Sequence, residues 1–447
     1  MSIASFFADS RRLVYVLGGA IAVFVFFAVI FIVRNAGNVG GVGGSGADDV
    51  KLQVWGVFDD RTAFDDAIRV FEKANPGVSV SYRNVDYATY EKTVVDALAA
   101  NQGPDIWMIH HTWLAKHQNK LAPMPEALPG SSAPLMTLRQ YQDRFVDVAS
   151  VDLVRGGKIY GMPLYVDTLA LYYNKSMLAS SGIATPPKTW AEMLTAVAKI
   201  TRRDANETIT LAGATLGTAR NVNRSTDILM MLMLQSGTQM TDESGASATF
   251  SRSVDGQAVG ERSLQFYTDF ANPRQEVYTY NDSQDYSIDA FIAGKAAMMI
   301  NYSHQIPVLQ SRAPRLDWSV APVPQATTVS ARTYANYWPL VVSANSKYPD
   351  YAWAFVYYLA AGDGAIPYLN ATNRPAARRD LIELQKSDTM LGVFAEQSLT
   401  ARSWYQVDST AMEKIFADMI DAVNLRRVSP RDALRDAEAK ASLLMRR

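Results

Sequence analysis

Hydrophobic and polar residues alternate with a regular period from residue 50 onward, and the pattern predicts an α/β body. The run 50–55 alternates as a strand, and Phe64, Ile68 and Phe71 then recur at helical spacing. The predicted order is a strand at 50–55, a helix ended by Asn75-Pro76-Gly77, a strand at 78–82, a helix at 87–100 and a strand at 105–109. This order is typical of a parallel α/β unit, whose ligands collect beyond the carboxyl ends of the strands.

The apolar run within 157–175 contains a single acid, Asp167. Branched, aromatic and long apolar side chains dominate the run, so it is predicted to be a strand buried on both faces. A carboxylate there is costly unless it is paired, hydrogen-bonded or faces a wet cleft. Asp167 is therefore either a solvated acid at the edge of a strand or a ligand-facing acid where the chain crosses between two lobes.

Later segments repeat both patterns. Helices are predicted at 189–201, 227–235, 260–270, 350–361, 380–385, 411–423 and 430–445, and strands at 318–323 and, more briefly, up to Ile300. Residues 334–343 are predicted to form a long apolar crossing. The helix 227–235 is strongly apolar and is predicted to be buried. Its methionines favour core filling over an adaptable binding surface.

The N-terminus is predicted to anchor the protein in a membrane. Residues 13–33 carry no charge, and at about 1.5 Å per residue a helix of this length spans about 30 Å of hydrocarbon. The run is longer than a typical secretory signal and lacks a good cleavage site, so an uncleaved signal anchor is preferred. Arg11 and Arg12 precede it and Arg34 follows, which predicts a cytoplasmic segment 1–12 and an exported body. Residues 34–47 are glycine-rich and would be a flexible tether, giving a single-pass protein whose body lies on the extracytoplasmic face of the cell membrane.

Composition excludes several classes of function. The chain has 447 residues, which predicts two lobes, and 43 basic residues nearly balance 44 acidic ones, so no nucleic-acid partner is expected. The absence of cysteine excludes disulfides, thiolate metal sites and a lipid-modified cysteine. Four histidines leave little room for a metal centre, and no metal or cofactor is predicted. No nucleophile elbow, phosphate loop or zinc-protease motif occurs, so an enzyme is not expected.

Seven short blocks, in order along the chain, carry a family resemblance. They are residues 71–77, 103–106, 157–163, 171–175, 186–190, 291–298 and 433–437. Over about 50–445 the chain resembles the family 1 extracellular solute-binding proteins of ABC importers, the group that includes the maltose-binding protein. The resemblance implies the two-lobe α/β periplasmic-binding-protein fold of type II, here preceded by the transmembrane helix, with solute held in a cleft between the lobes.

Matching these blocks predicts the lobes and the hinge. The expected lobes are 48–165 with 343–388, and 168–338 with 391–447. The expected hinge residues are Tyr165, Val166, Val341 and Val342, with a further crossing near 387–391.

The resemblance also implies a set of solute contacts. The positions that match are Asp59, Asp60, Arg61, His111, Thr112, Trp113, Asp167, Asn221, Asn223, Asn301 and His304. His304 stands where maltose binders have a stacking tryptophan, and the bulky Tyr337 and Trp338 stand where many members have glycines. These two residues are included in the predicted site, and they favour a mono- or disaccharide over a long maltodextrin.

Two alternatives remain open beside a monomeric sugar-binding protein that serves an ABC permease. The acids Asp59, Asp60 and Asp167 would also suit a cation, so a polyamine is the main rival to a sugar. A permanent membrane anchor would also suit a tethered solute sensor with no role in transport.

Overall fold

The computed structural model describes residues 49–128, 133–326 and 330–446. The predicted cytoplasmic segment 1–12, membrane anchor 13–33 and tether 34–47 lie outside these residues. Within the described ranges, no helix has the length and apolar character needed to cross a bilayer.

The described strands are short, apart from the first two. They are β1 (Val50–Gly56), β2 (Val78–Asn84), β3 (Ile106–Met108), β4 (Leu121–Ala122), β5 (Val154–Arg155), β6 (Lys158–Ile159), β7 (Asp167–Thr168), β8 (Ala170–Asn174), β9 (Arg202–Arg203), β10 (Ile209–Leu211), β11 (Met298–Asn301), β12 (Trp318–Pro322), β13 (Thr333–Asn336), β14 (Leu340–Ser343) and β15 (Ala401–Arg402).

The helices cover these strands. They are α1 (Asp65–Ala74), α2 (Tyr90–Ala99), α3 (Leu114–His117), α4 (Leu138–Arg144), α5 (Asp147–Leu153), α6 (Lys175–Ser180), α7 (Trp190–Ile200), α8 (Ser225–Gln235), α9 (Val259–Asp269), α10 (Ser287–Ile292), α11 (Gln305–Arg312), α12 (Pro349–Ala360), α13 (Ala365–Thr372), α14 (Arg379–Gln385), α15 (Leu391–Ser398), α16 (Ser409–Asn424) and α17 (Pro430–Met445).

The first sheet has the strand order β2-β1-β3-β14-β4. Strand β1 is parallel to β2 and β3, whereas β14 runs antiparallel to its neighbours. Val50, Leu52 and Val54 are buried while Lys51 and Gln53 are exposed, which is the alternation seen in the sequence. The predicted parallel α/β unit is therefore present, and a strand from late in the chain extends it.

The second sheet contains the apolar run that follows Asp167. Its order is β11-β8-β12, and both pairings of β8 are antiparallel. Four of the five residues of β8 are buried, because helices cover the sheet. Helix α8 is buried on nearly all sides, so the predicted core position of its methionines is confirmed.

Two large hydrophobic cores divide the described body, and a smaller one packs around β8. The first core begins at Val50 and includes Val166, and the second begins at Leu169 and includes Tyr334. Because Ala335 belongs to the first core again, the chain changes core at β7 and once more within β13, two strands of the small sheet β15-β13-β7. This two-lobe arrangement is the predicted fold, while the predicted limits of each lobe stay a prediction.

The predicted hinge residues lie in two places. Tyr165 and Val166 are buried just before β7, where the chain leaves the first core. Val341 and Val342 are buried inside β14, in the first sheet. Asp167 pairs in register with Asn336 between these two segments.

Candidate binding cleft

A cavity of about 340 Å³ lies between the two cores. Both lobes and the small sheet between them contribute to its lining, which comprises Phe58, Tyr87, His110, His111, Trp113, Tyr165, Asp167, Asn223, Arg224, Asp227, Met230, His304, Tyr334, Ala335, Asn336, Trp338, Arg374, Gln406, Ser409, Thr410 and Glu413. The loops that follow β1 and β3 reach this cavity, as expected for the carboxyl ends of parallel strands.

Aromatic side chains form the wall on the first lobe, called here the aromatic wall (Phe58, Tyr87, His110, Trp113 and Trp338). Trp338 is its centre, with ring-centroid distances of 4.9 Å to Trp113, 5.4 Å to His110 and 5.5 Å to Phe58, all edge to face. Each such pair contributes about 0.5–1.5 kcal/mol beyond burial of its area. This packing fixes the rings before any solute arrives.

The outer edge of the aromatic wall is exposed and strained. The Phe58 and Tyr87 rings stack at 5.2 Å and are 52% and 59% exposed. Phe58 has a φ angle of 71°, in the left-handed region that a residue with a side chain avoids at a cost of about 1–2 kcal/mol. Strain of this kind is concentrated at functional sites, because folding alone does not favour it.

Polar side chains form the opposite wall on the second lobe, called here the polar wall (Asn223, Arg224, Asp227, His304 and Glu413). Arg224 lies 3.1 Å from Asp227, and its guanidinium sits 5.1 Å from the centre of the Tyr302 ring. Burial alone would lower the pKa of Arg224, but the Asp227 carboxylate holds that pKa above its ordinary value. The arginine is therefore a permanent cation in the cleft.

Glu413 is the acid of the polar wall whose carboxylate is unpaired among the described residues. Asp227 accepts a hydrogen bond of 2.8 Å from the Tyr302 hydroxyl besides its ion pair. Among the described residues Glu413 has neither a hydrogen bond nor an ion pair. Partial burial and the nearby Asp227 carboxylate raise the pKa of Glu413. Glu413 is thus an available acceptor beside a permanent donor.

Asp167 lies at the base of the cleft and is 4% exposed. Its carboxylate accepts hydrogen bonds from the backbone N–H groups of Thr168 and Ser303, at 2.8 and 3.0 Å, and from the Ser303 hydroxyl at 2.8 Å. The imidazole of His304 lies 3.8 Å away. Asp167 therefore joins the chain crossing to the loop after β11, which also carries His304.

Six predicted solute contacts line the cavity, namely His111, Trp113, Asp167, Asn223, His304 and Trp338. His111 stacks on Tyr337 at 4.8 Å, and within the described part of the chain neither ring nitrogen has a hydrogen-bond partner. Burial lowers the pKa of His111 well below its ordinary value, so the ring is neutral.

The predicted contact Asp59 lies beneath the aromatic wall instead of lining the cavity. Its carboxylate is 2.6 Å from an Arg374 nitrogen and accepts a 2.8 Å hydrogen bond from the Tyr368 hydroxyl. The Arg374 guanidinium in turn lies 4.3 Å from the centre of the Tyr165 ring. Arg374, which reaches the cavity, therefore pairs with the Asp59 carboxylate that was predicted to bind solute.

The other predicted contacts also lie outside the lining and bind protein groups. Asp60 is 3.3 Å from Asn84, and Arg61 pairs with Asp65 at 3.0 Å. Thr112 contacts His110, Asn221 donates to the carbonyls of Asn281 and Gln284, Asn301 donates to Asn223, and Tyr337 donates to Asp152. Several of these residues support a lining residue from behind.

Sequence reasoning missed Arg224, Asp227, Arg374 and Glu413. Glu413 and its neighbours Ser409 and Thr410 lie in the first turns of α16, whose N-cap is Asp408. An N-cap aspartate before a helix was a readable signal for the start of α16. Nothing local indicates that this start faces a cleft, because the partner residues are hundreds of positions away.

Two α/β lobes with a polar cleft between them are the architecture of solute-binding proteins that close around a ligand. Residues 66–390 match the family described as bacterial extracellular solute-binding protein, and the chain belongs to that family. The resemblance drawn from the sequence is thereby confirmed, and membership places the body outside the cytoplasm.

Relatives cover most of the chain at low identity. A putative binding protein of Brucella abortus is 24% identical over 403 residues, 86% of this chain and 90% of that protein. The maltodextrin-binding protein MdxE of Bacillus subtilis is 25% identical over 273 residues, 58% of this chain and 59% of the other. The solved cyclic alpha-maltosyl-1,6-maltose binding protein of Arthrobacter globiformis has a TM-score of 0.74 at 20% identity, covering 89% of this chain and 99% of that one. This last likeness shows the fold.

Proposed function

We propose that this protein captures a mono- or disaccharide between its aromatic and polar walls and delivers it to an ABC importer. The pairing of the two walls is the observation that carries the proposal. A sugar ring has a C–H face that packs on aromatic rings and a rim of hydroxyls that hydrogen-bond planar polar groups. Names of relatives support a sugar, although a longer one, since they include a maltodextrin-binding and a maltotriose-binding protein.

A small sugar suits the dimensions of the cleft. Ligand cavities range from about 300 to 1,000 Å³, so a cavity of about 340 Å³ lies at the small end. The bulk of Trp338 and Phe58 on one side supports this size limit. A polyamine is less well supported, because Arg374 and Arg224 already pair with Asp59 and Asp227, which leaves Glu413 as the unpaired acid of the polar wall.

A thermal-shift screen tests the solute class. A solute that binds only the folded protein raises the free energy of unfolding by mass action, by about 2.7 kcal/mol when its concentration is a hundred times Kd. The melting temperature rises as a result. We expect a rise with one or a few mono- or disaccharides and none with spermidine or putrescine. A rise with the polyamines alone would overturn the sugar assignment.

Transport and anchoring belong to the same proposal. The body would act as a monomer, held near its permease by residues 13–33 and the tether 34–47. Protease added to spheroplasts should remove the body, and complete protection would contradict this topology. Loss of growth on the identified sugar in a deletion strain would favour import over a sensor, and unimpaired uptake would favour the sensor.

A further inference from the structure

A charged contact crosses the cleft beside the two walls. The Lys116 ammonium, on α3 of the first lobe, lies 2.8 Å from Glu91 and 3.0 Å from Asp408 of the second lobe. The side chains of Lys116, Glu91 and Asp408 are 32%, 28% and 30% exposed. Next to them the Trp113 indole donates a 3.0 Å hydrogen bond to the Ser409 hydroxyl across the same gap. All these contacts are made between side chains of this one chain.

The first-lobe half of this contact is built independently of the second lobe. His117 lies 2.8 Å from the same Glu91 carboxylate and is 3% exposed. Although burial alone would raise it, the contacts with His117 and Lys116 lower the pKa of Glu91 to about 2. Burial opposes the charge of Lys116, but hydrogen bonds to Glu91 and Asp408 raise its pKa above the ordinary value. The first lobe thus presents a fixed cation to the second.

The second-lobe half lies at the start of α16, the helix that carries Glu413 of the polar wall. One oxygen of Asp408 meets Lys116, and the other accepts a 3.0 Å hydrogen bond from the Ala411 N–H as the N-cap of α16. The first turns of α16 carry Ser409, Thr410 and Glu413, which line the cavity. The contact between Lys116 and Asp408 is therefore made at the start of the helix that carries these cavity-lining residues.

We propose that Lys116 is a positioning residue that latches the two lobes through Asp408 and thereby sets the affinity for every solute. The inference rests on the proposed function, in which solute binds as the lobes close. A contact made only when the lobes are together raises the population of the closed form. Because apparent affinity scales with the population of the binding-competent state, such a contact strengthens all solutes by one common factor.

The variants separate the latch from its surroundings. Lys116→Met removes the charge and keeps the length of the side chain. Asp408→Asn keeps an oxygen to cap α16 but loses the ion pair. Lys175→Met is the matched control, because its pair with Asp317, at 2.7 Å, lies within the second lobe.

Calorimetry with each sugar found in the screen measures the affinity. We expect Lys116→Met and Asp408→Asn each to weaken binding about threefold to fivefold, by the same factor for every sugar. The double variant should be no weaker than the singles, and the control should match the parent. A factor that differs between sugars would mean that Lys116 contacts solute directly, and unchanged affinities would mean that no latch exists; either result overturns the proposal.

A distance measurement tests the latch without any solute. The chain has no cysteine, so Val70→Cys on α1 and Leu425→Cys after α16, 45% and 62% exposed, place one spin label on each lobe. Lys116→Met should shift the interlobe distances to longer values than the control, and added salt should produce the same shift in the parent. Unchanged distances refute the latch, whereas failure of every sugar in the screen refutes the proposed solute and leaves this result standing.

Discussion

The two walls of the cleft are built on opposite principles. On the aromatic wall the other rings pack edge to face on Trp338, and the Asp59 carboxylate beneath it is paired with Arg374. On the polar wall Arg224 and Glu413 keep hydrogen-bonding capacity directed into the cavity. The first wall offers a preformed apolar surface, and the second offers groups that distinguish one pattern of hydroxyls from another.

We expect the aromatic wall to supply affinity and the polar wall to supply specificity. Stacking on a ring depends weakly on which carbon carries which hydroxyl, because the contact is an area. A site built to hydrogen-bond particular hydroxyls rejects analogues that lack them, because its own polar groups are then left unpaired. Variants of the aromatic wall should therefore weaken all sugars alike, and variants of the polar wall should change their ranking.

The largest expected effect concerns the support of the aromatic wall. Asp59→Asn removes the partner of Arg374, and the loss of one member of a buried pair should cost about 3 kcal/mol of unfolding free energy. Urea unfolding measures it. The neighbouring Asp60→Asn, which loses a single 3.3 Å contact at the surface, should stay within about 0.5 kcal/mol of the parent. Equal stability of both variants would show that Asp59 is available to solute instead.

Asp59 also shows where sequence reasoning stopped. Position after β1 predicted that its loop would reach the cleft, and the loop does so through Phe58. The direction of the Asp59 side chain depends on Arg374, which lies 315 residues away. No local sequence pattern indicates the direction of this side chain, and the predicted solute contact at Asp59 followed from its place after β1 and from the family resemblance.

Other features were local and were predicted. The alternation of Val50, Leu52 and Val54 predicted β1, and the unbroken apolar run after Asp167 predicted the buried strand β8. The chain crossing at Asp167 was implied by the family resemblance, whereas the apolar run alone left Asp167 either at a solvated strand edge or at a crossing. Arg224 and Glu413 could not be predicted, since each acquires its role from a partner in another segment.

A second prediction concerns Asp152, a carboxyl group that connects Tyr337 to Ser403. Asp152 on α5 accepts hydrogen bonds from the Tyr337 hydroxyl, at 2.8 Å, and from the Ser403 hydroxyl. Burial raises the pKa of Asp152 to about 7, although the two hydroxyls and Arg155 act against the shift. A raised pKa in the folded state means that stability is full below the ordinary pKa and is lost as the pH rises toward 7.

Asp152→Asn should remove this pH dependence. Between pH 5 and pH 8 the parent should lose on the order of 2 kcal/mol of unfolding free energy relative to the variant. Urea midpoints at several pH values measure the difference. Asp147→Asn, on the same helix but paired with Arg379 at the surface, is the control and should follow the parent. Parallel pH profiles for Asp152→Asn and the parent would show that Asp152 ionises as an ordinary acid.

A third prediction tests specificity at the polar wall. Arg224→Met keeps the stem of the side chain and removes its charged donors, which should weaken the preferred sugar by about 1.5 kcal/mol. Epimers that differ at one hydroxyl should lose less, so their ranking should change in calorimetric titrations. Arg220→Met is the control, since Arg220 pairs with Asp418 and Asp421 away from the cavity lining. A uniform loss across epimers would assign Arg224 to general stabilisation of the cleft.

The smallest effect is expected at Phe58, where the backbone is strained. Asn tolerates the left-handed conformation better than Phe, so in Phe58→Asn the relief of about 1 kcal/mol of strain should offset much of the loss of the ring contacts with Tyr87 and Trp338, and stability should fall by no more than about 1 kcal/mol. The same variant removes a ring from the aromatic wall and should weaken every sugar by about 1 kcal/mol.

Glu207→Asn is the matched control for Phe58, because Glu207 has a φ angle of 60° and does not line the cavity. Because Glu207 has no ring contacts to lose, this control should show the relief of strain, as a gain in stability of up to about 1 kcal/mol without any effect on affinity. Thermal melts and calorimetry on both variants separate the two effects. If Phe58→Asn bound sugars as tightly as the parent, the strain at Phe58 would have no binding role, and the aromatic wall would reduce to the rings packed around Trp338.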